Sequence, residues 1–177
     1  MELIFPTIEH KQAVMEYRQE WLDSGLGEMI NGSWGLQHKD YDSYKKWLDD
    51  IEKLVTGQSN NPNINVPAST YLAFCGEKIV GNIQIRHRLN DYLLSTYGHI
   101  GYAVRPSERR KGYATHMLAL ALGKYREMGI GKVLISCDKS NTSSVKTISK
   151  NGGIFGKEFA EDDGNIVQQY WIMLNEI

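Results

Sequence analysis

Cysteine is scarce in this chain of 177 residues, with only Cys75 and Cys137, each inside an apolar run. Two such thiols read as buried side chains, and neither a disulfide framework nor a metal site is expected. Long hydrophobic runs are absent. No stretch approaches the ~20 apolar residues that span a bilayer, so no membrane partner is expected. Met1-Glu2-Leu3-Ile4-Phe5-Pro6 also lacks the basic start and long apolar core of a signal peptide, so a cytoplasmic location is expected. An excess of one charge is missing too. The 20 Lys and Arg against 21 Asp and Glu give no general field for nucleic acid or an anionic membrane. There is no internal repeat and no Gly-x-x-x-x-Gly-Lys-Ser/Thr, which excludes P-loop nucleotide hydrolysis.

What is present is enough for one domain, residues 1–177, with a full core. Leu3 to Phe5 suits a short strand, and Thr7 can cap a helix to about Asp23 with Val14, Tyr17 and Trp21 on one face. Residues 24–39 are broken by Gly25, Gly27, Asn31, Gly32 and Gly35, yet carry Met29, Ile30, Trp34 and Leu36, which implies a folded-back loop. Tyr44, Trp47, Leu48, Ile51, Leu54 and Val55 recur at helical steps, and 57–67 is a long exposed loop. Thr70–Cys75 and Lys78–His87 form an antiparallel hairpin, the second strand with Ile79, Ile83 and Ile85 on its odd face. A connection over 90–98 leads to a strand at 100–104. A helix from 114 to about 128 has Met117, Leu118, Ala121, Leu122 and Tyr125 on its buried face. Val133–Cys137 reads as a central strand covered on both sides, residues 141–151 as a short helix, and 154–159 and 166–173 as the last two strands. The fold class is α/β (α+β), a mixed, mostly antiparallel sheet of six to seven strands with helices on both faces.

Between the strand at 100–104 and the helix from 114 lies Arg109-Arg110-Lys111-Gly112-Tyr113-Ala114-Thr115. Three cations precede a glycine, where the backbone can come close to a ligand. The chain then enters a helix whose first N–H groups have no internal partner. Such a terminus holds an anion, helped by the positive end of the helix dipole. Arg110 and Lys111 alternatively belong to a solvated surface.

Arg109-x-x-Gly112-x-Ala114 resembles the Arg/Gln-x-x-Gly-x-Gly/Ala signature of the GNAT superfamily, the acyl-CoA-dependent N-acyltransferases. Its setting adds specificity: Gly98-His99-Ile100-Gly101-Tyr102 and Arg105-Pro106-Ser107-Glu108 before it, and Asn141 to Gly153 after it. The resemblance runs from about Tyr71 to Tyr170. It implies a sheet splayed between its fourth and fifth strands and a direct acetyl transfer from acetyl-CoA to a primary amine of a small molecule or peptide. It implies no metal. The cofactor would lie against Tyr102, Ala103, Val104, Arg109, Arg110, Lys111, Gly112, Tyr113, Ala114, Thr115, Asn141 and Ser144. Gly101 and Ala103 would let the pantetheine arm near the backbone, or are small because a helix packs there.

The amine must lose a proton, since a lysine-like amine has a pKa of about 10.4. His99, expected to share a face with Gly101, is the first candidate for the base; alternatively it orders the strand start through a backbone hydrogen bond. Many members supply a tyrosine as proton donor seven residues after the asparagine, but that position is Ile148 here, leaving Ser144 or Tyr102. Asn141 and Ser144 also fit ordinary helix capping. The acceptor pocket would draw on 24–39, 57–68 and 86–98, with Trp34, Tyr92 and Tyr97 available to stack. The alternative function is a catalytically silent acyl-CoA-binding module. A homodimer is also allowed, through the last strand with Tyr170, Trp171 and Ile172.

Overall fold

The computed structural model describes residues 1–26, 29–40, 42–59 and 61–174. Gly27 and Asn60, both read as loop positions, lie outside the described residues. In order the chain forms β1 (Glu2–Ile4), α1 (Lys11–Asp23), α2 (Tyr44–Val55), β2 (Ala68–Cys75), β3 (Lys78–Arg86), α3 (Asp91–Ser95), β4 (Ile100–Val104), α4 (Tyr113–Glu127), β5 (Lys132–Asp138), α5 (Thr142–Lys150), β6 (Ile154–Ala160) and β7 (Ile166–Met173). This is the expected α/β class.

The expected single sheet divides in two. Four strands pair in the order β1-β2-β3-β4 and three in the order β5-β7-β6, every ladder antiparallel. Among the described residues the sheets meet through a single isolated bridge, Gly98 with Ile135, and through His99 N–H donating to Leu134 O at 2.7 Å. The split between the fourth and fifth strands is thus present, and it makes β5 an edge strand rather than a central one. Its first half is buried, while Ser136, Cys137 and Asp138 are not. β7 sits between β5 and β6, so no free edge remains on it for strand pairing with a second copy; the outer edge of this sheet is β6.

Two apolar clusters lie on opposite faces. Met117, Leu118, Ala121, Leu122 and Tyr125 of α4 pack with Val80, Ile83 and Ile85. Val14, Tyr17 and Trp21 of α1 pack with Trp47 and Ile51 of α2 and with Ile79. β3 therefore does not alternate simply. Ala73 pairs with Gly81 and Phe74 with Ile79, which leaves Val80 as the extra residue of a bulge that reverses the faces beyond it. The consequence is functional: Asn82 faces α1, where Tyr17 O–H donates to its Oδ1 and its Nδ2 donates to Asn31 O at 2.8 Å. The bond to Asn31 ties down the loop between α1 and α2.

That loop is folded back, as its apolar residues require. Ile30, Ser33 and Leu36 are buried, and Trp47 Nε1 donates to Ser33 O at 2.9 Å. Gly32 has φ +72°, and a Cβ built on it would lie 2.1 Å from Gly101 O. Only a residue without a side chain lets this loop rest on β4. Cys75, expected to be buried, is exposed at the end of β2, where Tyr113 O–H donates to its sulfur.

Candidate active site

Because β4 has a partner only on its β3 side and β5 only on its β7 side, a wedge opens between them beyond the Gly98–Ile135 bridge. Two cavities occupy it, of about 460 Å³ and 550 Å³, and both are lined by Asn31, Tyr102, Asn141 and Ser144. They are two ends of one cleft.

The first end is built on the start of α4. Tyr102, Ala103, Val104, Arg109, Arg110, Gly112, Tyr113, Ala114 and Thr115 line it. Gly112 is the N-cap residue at φ +84° and no side chain caps the helix, so the N–H groups of its first turn are left to a ligand. Arg110 is also left-handed, at φ +64°. Backbone in this conformation aims successive N–H groups into one concavity, an anion nest. A Cβ built on Gly112 meets nothing within 4 Å, so it would occupy the open cradle.

The charge around the cradle is sorted. Lys111 does not line the cleft: its Nζ pairs with Glu108 Oε2 at 2.8 Å, and Lys78 pairs with Oε1 of the same carboxylate. Held by Lys111 first and Lys78 second, Glu108 has its pKa pushed down to about 2. It remains an anion, and here Lys111 is paired with it rather than placed on the cleft wall. Arg109 stacks over Trp21 at 5.0 Å with both groups on the cleft wall. The turn entering the cradle is latched to α1, for Glu20 accepts from Arg105 Nε and from Ser107 N–H.

Further lining residues that the sequence reading did not place at the site include Trp21, Ser143, Lys146, Thr147 and Lys150. The four on α5 follow helical spacing from Ser143, the signal that would have found them. Lys146 and Lys150 add two cations to Arg109 and Arg110 around a cradle of free amides. Asn141 caps α5, its Oδ1 accepting from Ser144 N–H at 3.1 Å, and the residue lines both ends of the cleft.

The second end has different chemistry. Trp34, Gln84, Tyr97, Ser136, Cys137, Asp138 and Glu161 are among its lining residues, with Met29 to Gly32 as a roof. Asn165 Nδ2 donates to Asp138 Oδ1 at 2.9 Å and to Glu161 Oε2 at 3.0 Å, bringing two carboxylates to one wall. Glu161 was not anticipated; it lies on the β6–β7 turn, where sequence spacing gives no link to β4. Cys137 is a poor nucleophile here, since burial foremost and the Asp138 charge next push its thiol up to about 11. Tyr92 pairs edge-on with Tyr97 and is not itself on the wall.

His99 requires a correction. It precedes β4 and does not share the face of Gly101, because the chain turns at Gly98, which has φ +67°. The ring packs edge-on against Tyr125 of α4, and Nδ1 accepts from Leu134 N–H at 2.9 Å. Burial first, and the nearby Arg86 charge, hold its pKa down at about 4. The neutral ring then carries its proton on Nε2, and the remaining lone pair is engaged by the backbone. His99 lines neither cavity; it joins the two sheets at the apex of the wedge. Ile148 is fully buried beneath Gly153 in the α4–α5 cluster, so position 148 is no cleft position in this chain.

A family model of the acetyltransferase (GNAT) family matches residues 17–153. The chain belongs to the acetyltransferase (GNAT) family. Its family is one of acetyltransferases, and structures of the same fold hold coenzyme A or acetyl-CoA. Solved structures carry the same fold over nearly the whole chain. One is a ribosomal L7/L12 α-N-protein acetyltransferase, RimL, in complex with coenzyme A joined to one of its cysteines by a disulfide; it is 18% identical, covers 99% of this chain and 94% of its own, and has a TM-score of 0.70. Another is an acetyltransferase from Salmonella typhimurium that modifies the N-terminal serine of the same ribosomal protein, with 17% identity, 98% and 94% coverage and a TM-score of 0.67. A third is the microcin C7 self-immunity acetyltransferase MccE with acetyl-CoA and AMP, at 16% identity, 97% and 91% coverage and a TM-score of 0.69. A search of the curated proteins gives no match.

The cradle fits the GNAT cofactor on its own geometry. Free amides and a bare Gly112 suit a pyrophosphate, the four cations suit the phosphate charges, and the unpaired edge of β4 can bond an extended pantetheine arm. Among the described residues no group of three His, Cys, Asp or Glu is placed to hold a metal ion, and no helix is long and apolar enough to cross a membrane.

Proposed function

We propose that residues 1–177 act as one cytoplasmic domain that transfers the acetyl group of acetyl-CoA directly to the primary amine of a peptide or small molecule. The observation that carries this reading is the shared wall of Asn31, Tyr102, Asn141 and Ser144, which joins an anion cradle at one end to a carboxylate-lined pocket at the other. A thioester held from the cradle would present its carbonyl where the two ends meet.

The acidic end suits the acceptor. Asp138 and Glu161 attract a cationic amine, and Glu161 takes its proton directly or through a water, in the role first considered for His99. The amine nitrogen then bonds the acetyl carbon and gives its second proton to water, and the C–S bond breaks with its electron pair passing to sulfur. Ser144 O–H donates to that sulfur, which gains its proton from solvent. Trp34 and Tyr97 flank the body of the acceptor, and beyond Trp34 a further cavity of about 710 Å³, with Asp50, Lys53 and Gln58 on its wall, gives room for an extended molecule. That shape favours a peptide over a compact amine, in keeping with the ribosomal-protein acetyltransferases of the same fold. A homodimer would use the β6 edge, where Ile154 and Phe155 are exposed.

The test is thermal unfolding with and without acetyl-CoA, followed by thiol release with a panel of short peptides and polyamines. A ligand at 100 times its Kd stabilises by about 2.7 kcal/mol, and Gly112→Val should remove that protection while the protein stays folded. If acetyl-CoA protects neither protein, the reading is wrong. Protection with no thiol release for any amine would instead revive the silent binding module.

A further inference from the structure

We propose that Tyr102 is a positioning residue for the leaving thiolate, holding the Ser144 hydroxyl so that its proton faces the sulfur. The inference rests on the role given to Ser144 above and adds the group that orients it.

Tyr102 stands in the middle of β4, on the α4–α5 side with Ile100 and Val104. Its ring lines both ends of the cleft. Its phenol oxygen is shut off from water and makes no hydrogen bond to any described residue, one of three side-chain polar atoms in that state. An orphaned buried hydroxyl is costly unless a second arrangement of its surroundings supplies a partner. The hydroxyls of Ser144 and Thr147 lie beside it and pull its pKa part of the way back from where burial pushes it. Ser144 is the one of these two that lines both ends of the cleft. A hydrogen bond from Tyr102 O–H to Ser144 Oγ would satisfy the phenol and fix the serine proton outward.

The arrangement explains how a chain with Ile148 in its core still serves the leaving group. A phenol alone in this place, buried and with its pKa raised, would surrender its proton reluctantly; a phenol that donates to a second hydroxyl need not surrender it at all. As the C–S bond breaks and its electron pair moves to sulfur, the negative charge is met by Ser144 O–H, whose oxygen is in turn held by Tyr102 O–H. No proton changes owner along the pair, and the thiolate is protonated later from water. Two hydrogen bonds in series strengthen one another in a site of low dielectric.

The experiment titrates the thiol of coenzyme A bound to the protein, read by its ultraviolet thiolate absorbance. In the wild type the bound thiol should ionise at lower pH than free coenzyme A. Tyr102→Phe and Ser144→Ala should each raise that pKa by about one unit, a tenfold change in thiolate fraction, and the double variant should do no more than either single one. With any peptide acceptor found by the screen, Tyr102→Phe should lower kcat roughly 10- to 100-fold and leave the KM for acetyl-CoA unchanged. Should Tyr102→Phe unfold, site-specific 3-fluorotyrosine at 102 keeps the shape and, as a stronger donor, should lower the bound thiol's pKa. A Tyr102→Phe protein that binds coenzyme A with the wild-type thiol pKa, or a fluorotyrosine that leaves it unmoved, overturns the proposal. Either result leaves cofactor binding, and hence the function proposed above, intact; loss of coenzyme A binding by the wild type would overturn that function itself.

Discussion

Replacing Gly32 with alanine separates the roof of the acceptor pocket from the cofactor cradle. Gly32 is left-handed at φ +72°, and the added Cβ would stand 2.1 Å from Gly101 O and 2.5 Å from its carbonyl carbon. The backbone conformation alone costs an alanine about 1–2 kcal/mol, and the collision adds the ~1–3 kcal/mol of an overpacked site. Releasing the whole loop is dearer. It would break the Asn82–Asn31 and Trp47–Ser33 bonds, worth about 1 kcal/mol each, and expose Ile30 and Leu36 at roughly 1.5–3 kcal/mol each. The loop should therefore shift off β4 rather than let go, and the protein stay folded. At ~2–4 °C per kcal/mol for a chain of this size, Tm falls by roughly 4–20 °C. Gly35→Ala is the control: it is left-handed at φ +77°, but its Cβ meets nothing within 4 Å, so only the conformational part, about 2–8 °C, applies. The assay is thermal unfolding of both variants with and without acetyl-CoA, then acceptor kinetics. Both should keep their cofactor protection, and only Gly32→Ala should raise the acceptor KM. Equal Tm losses in the two would refute the close approach of the loop to β4. Lost protection in Gly32→Ala would refute the independence of the two ends.

The buried His99 makes a pH prediction. Its folded pKa, near 4, lies below the ordinary 6.5, so below 6.5 the unfolded chain takes up a proton that the folded one refuses. Its contribution to stability is whole above about 6.5 and is lost as the pH falls toward 4, by up to roughly 3 kcal/mol. Urea midpoints between pH 7 and 4.5 should fall less steeply for His99→Gln than for the wild type; parallel curves would contradict the buried neutral ring. Asn82→Ala leaves Tyr17 O–H and Asn31 O without their partner and should cost about 1–3 kcal/mol in urea unfolding, with a raised acceptor KM and unchanged cofactor protection. An unchanged acceptor KM would show that the clamp on the loop does not shape the pocket.

The cradle was legible because its parts are contiguous. Arg109 to Thr115, the strand before them and the period of Met117, Leu118, Ala121, Leu122 and Tyr125 lie within about one βα unit, where local rules hold. The acceptor end was legible only in part: the segments 24–39, 57–68 and 86–98 do contribute Trp34, Ile64 and Tyr97 to it, but its acidic wall was not foreseen. Asn31, Tyr102, Glu161 and Asn165 meet across more than a hundred residues, and no spacing encodes that meeting. His99 was misplaced for a local reason: alternation was carried one residue past the start of β4, across a left-handed glycine. The odd-face reading of β3 failed for a similar cause, since one bulge residue reverses every side chain beyond it. Lys111 was read both as a phosphate ligand and as a solvated surface residue; its pair with Glu108 is local, while the second cation on that carboxylate, Lys78, arrives from another strand.

By itself the sequence determined the class of fold, the run of strands and helices, and a cradle for an anion, because periodicity, glycine and an uncapped helix start act over a few residues; the cofactor was named by the resemblance of Arg109-x-x-Gly112-x-Ala114 to a family signature, not by those local rules. Only the tertiary structure decided where β4 and β5 part, which face each cleft residue takes, and which polar groups are already bonded. Those depend on strand order, on a bulge and on contacts between distant segments. The second end of the cleft belongs to the gap between elements, and no single element carries it.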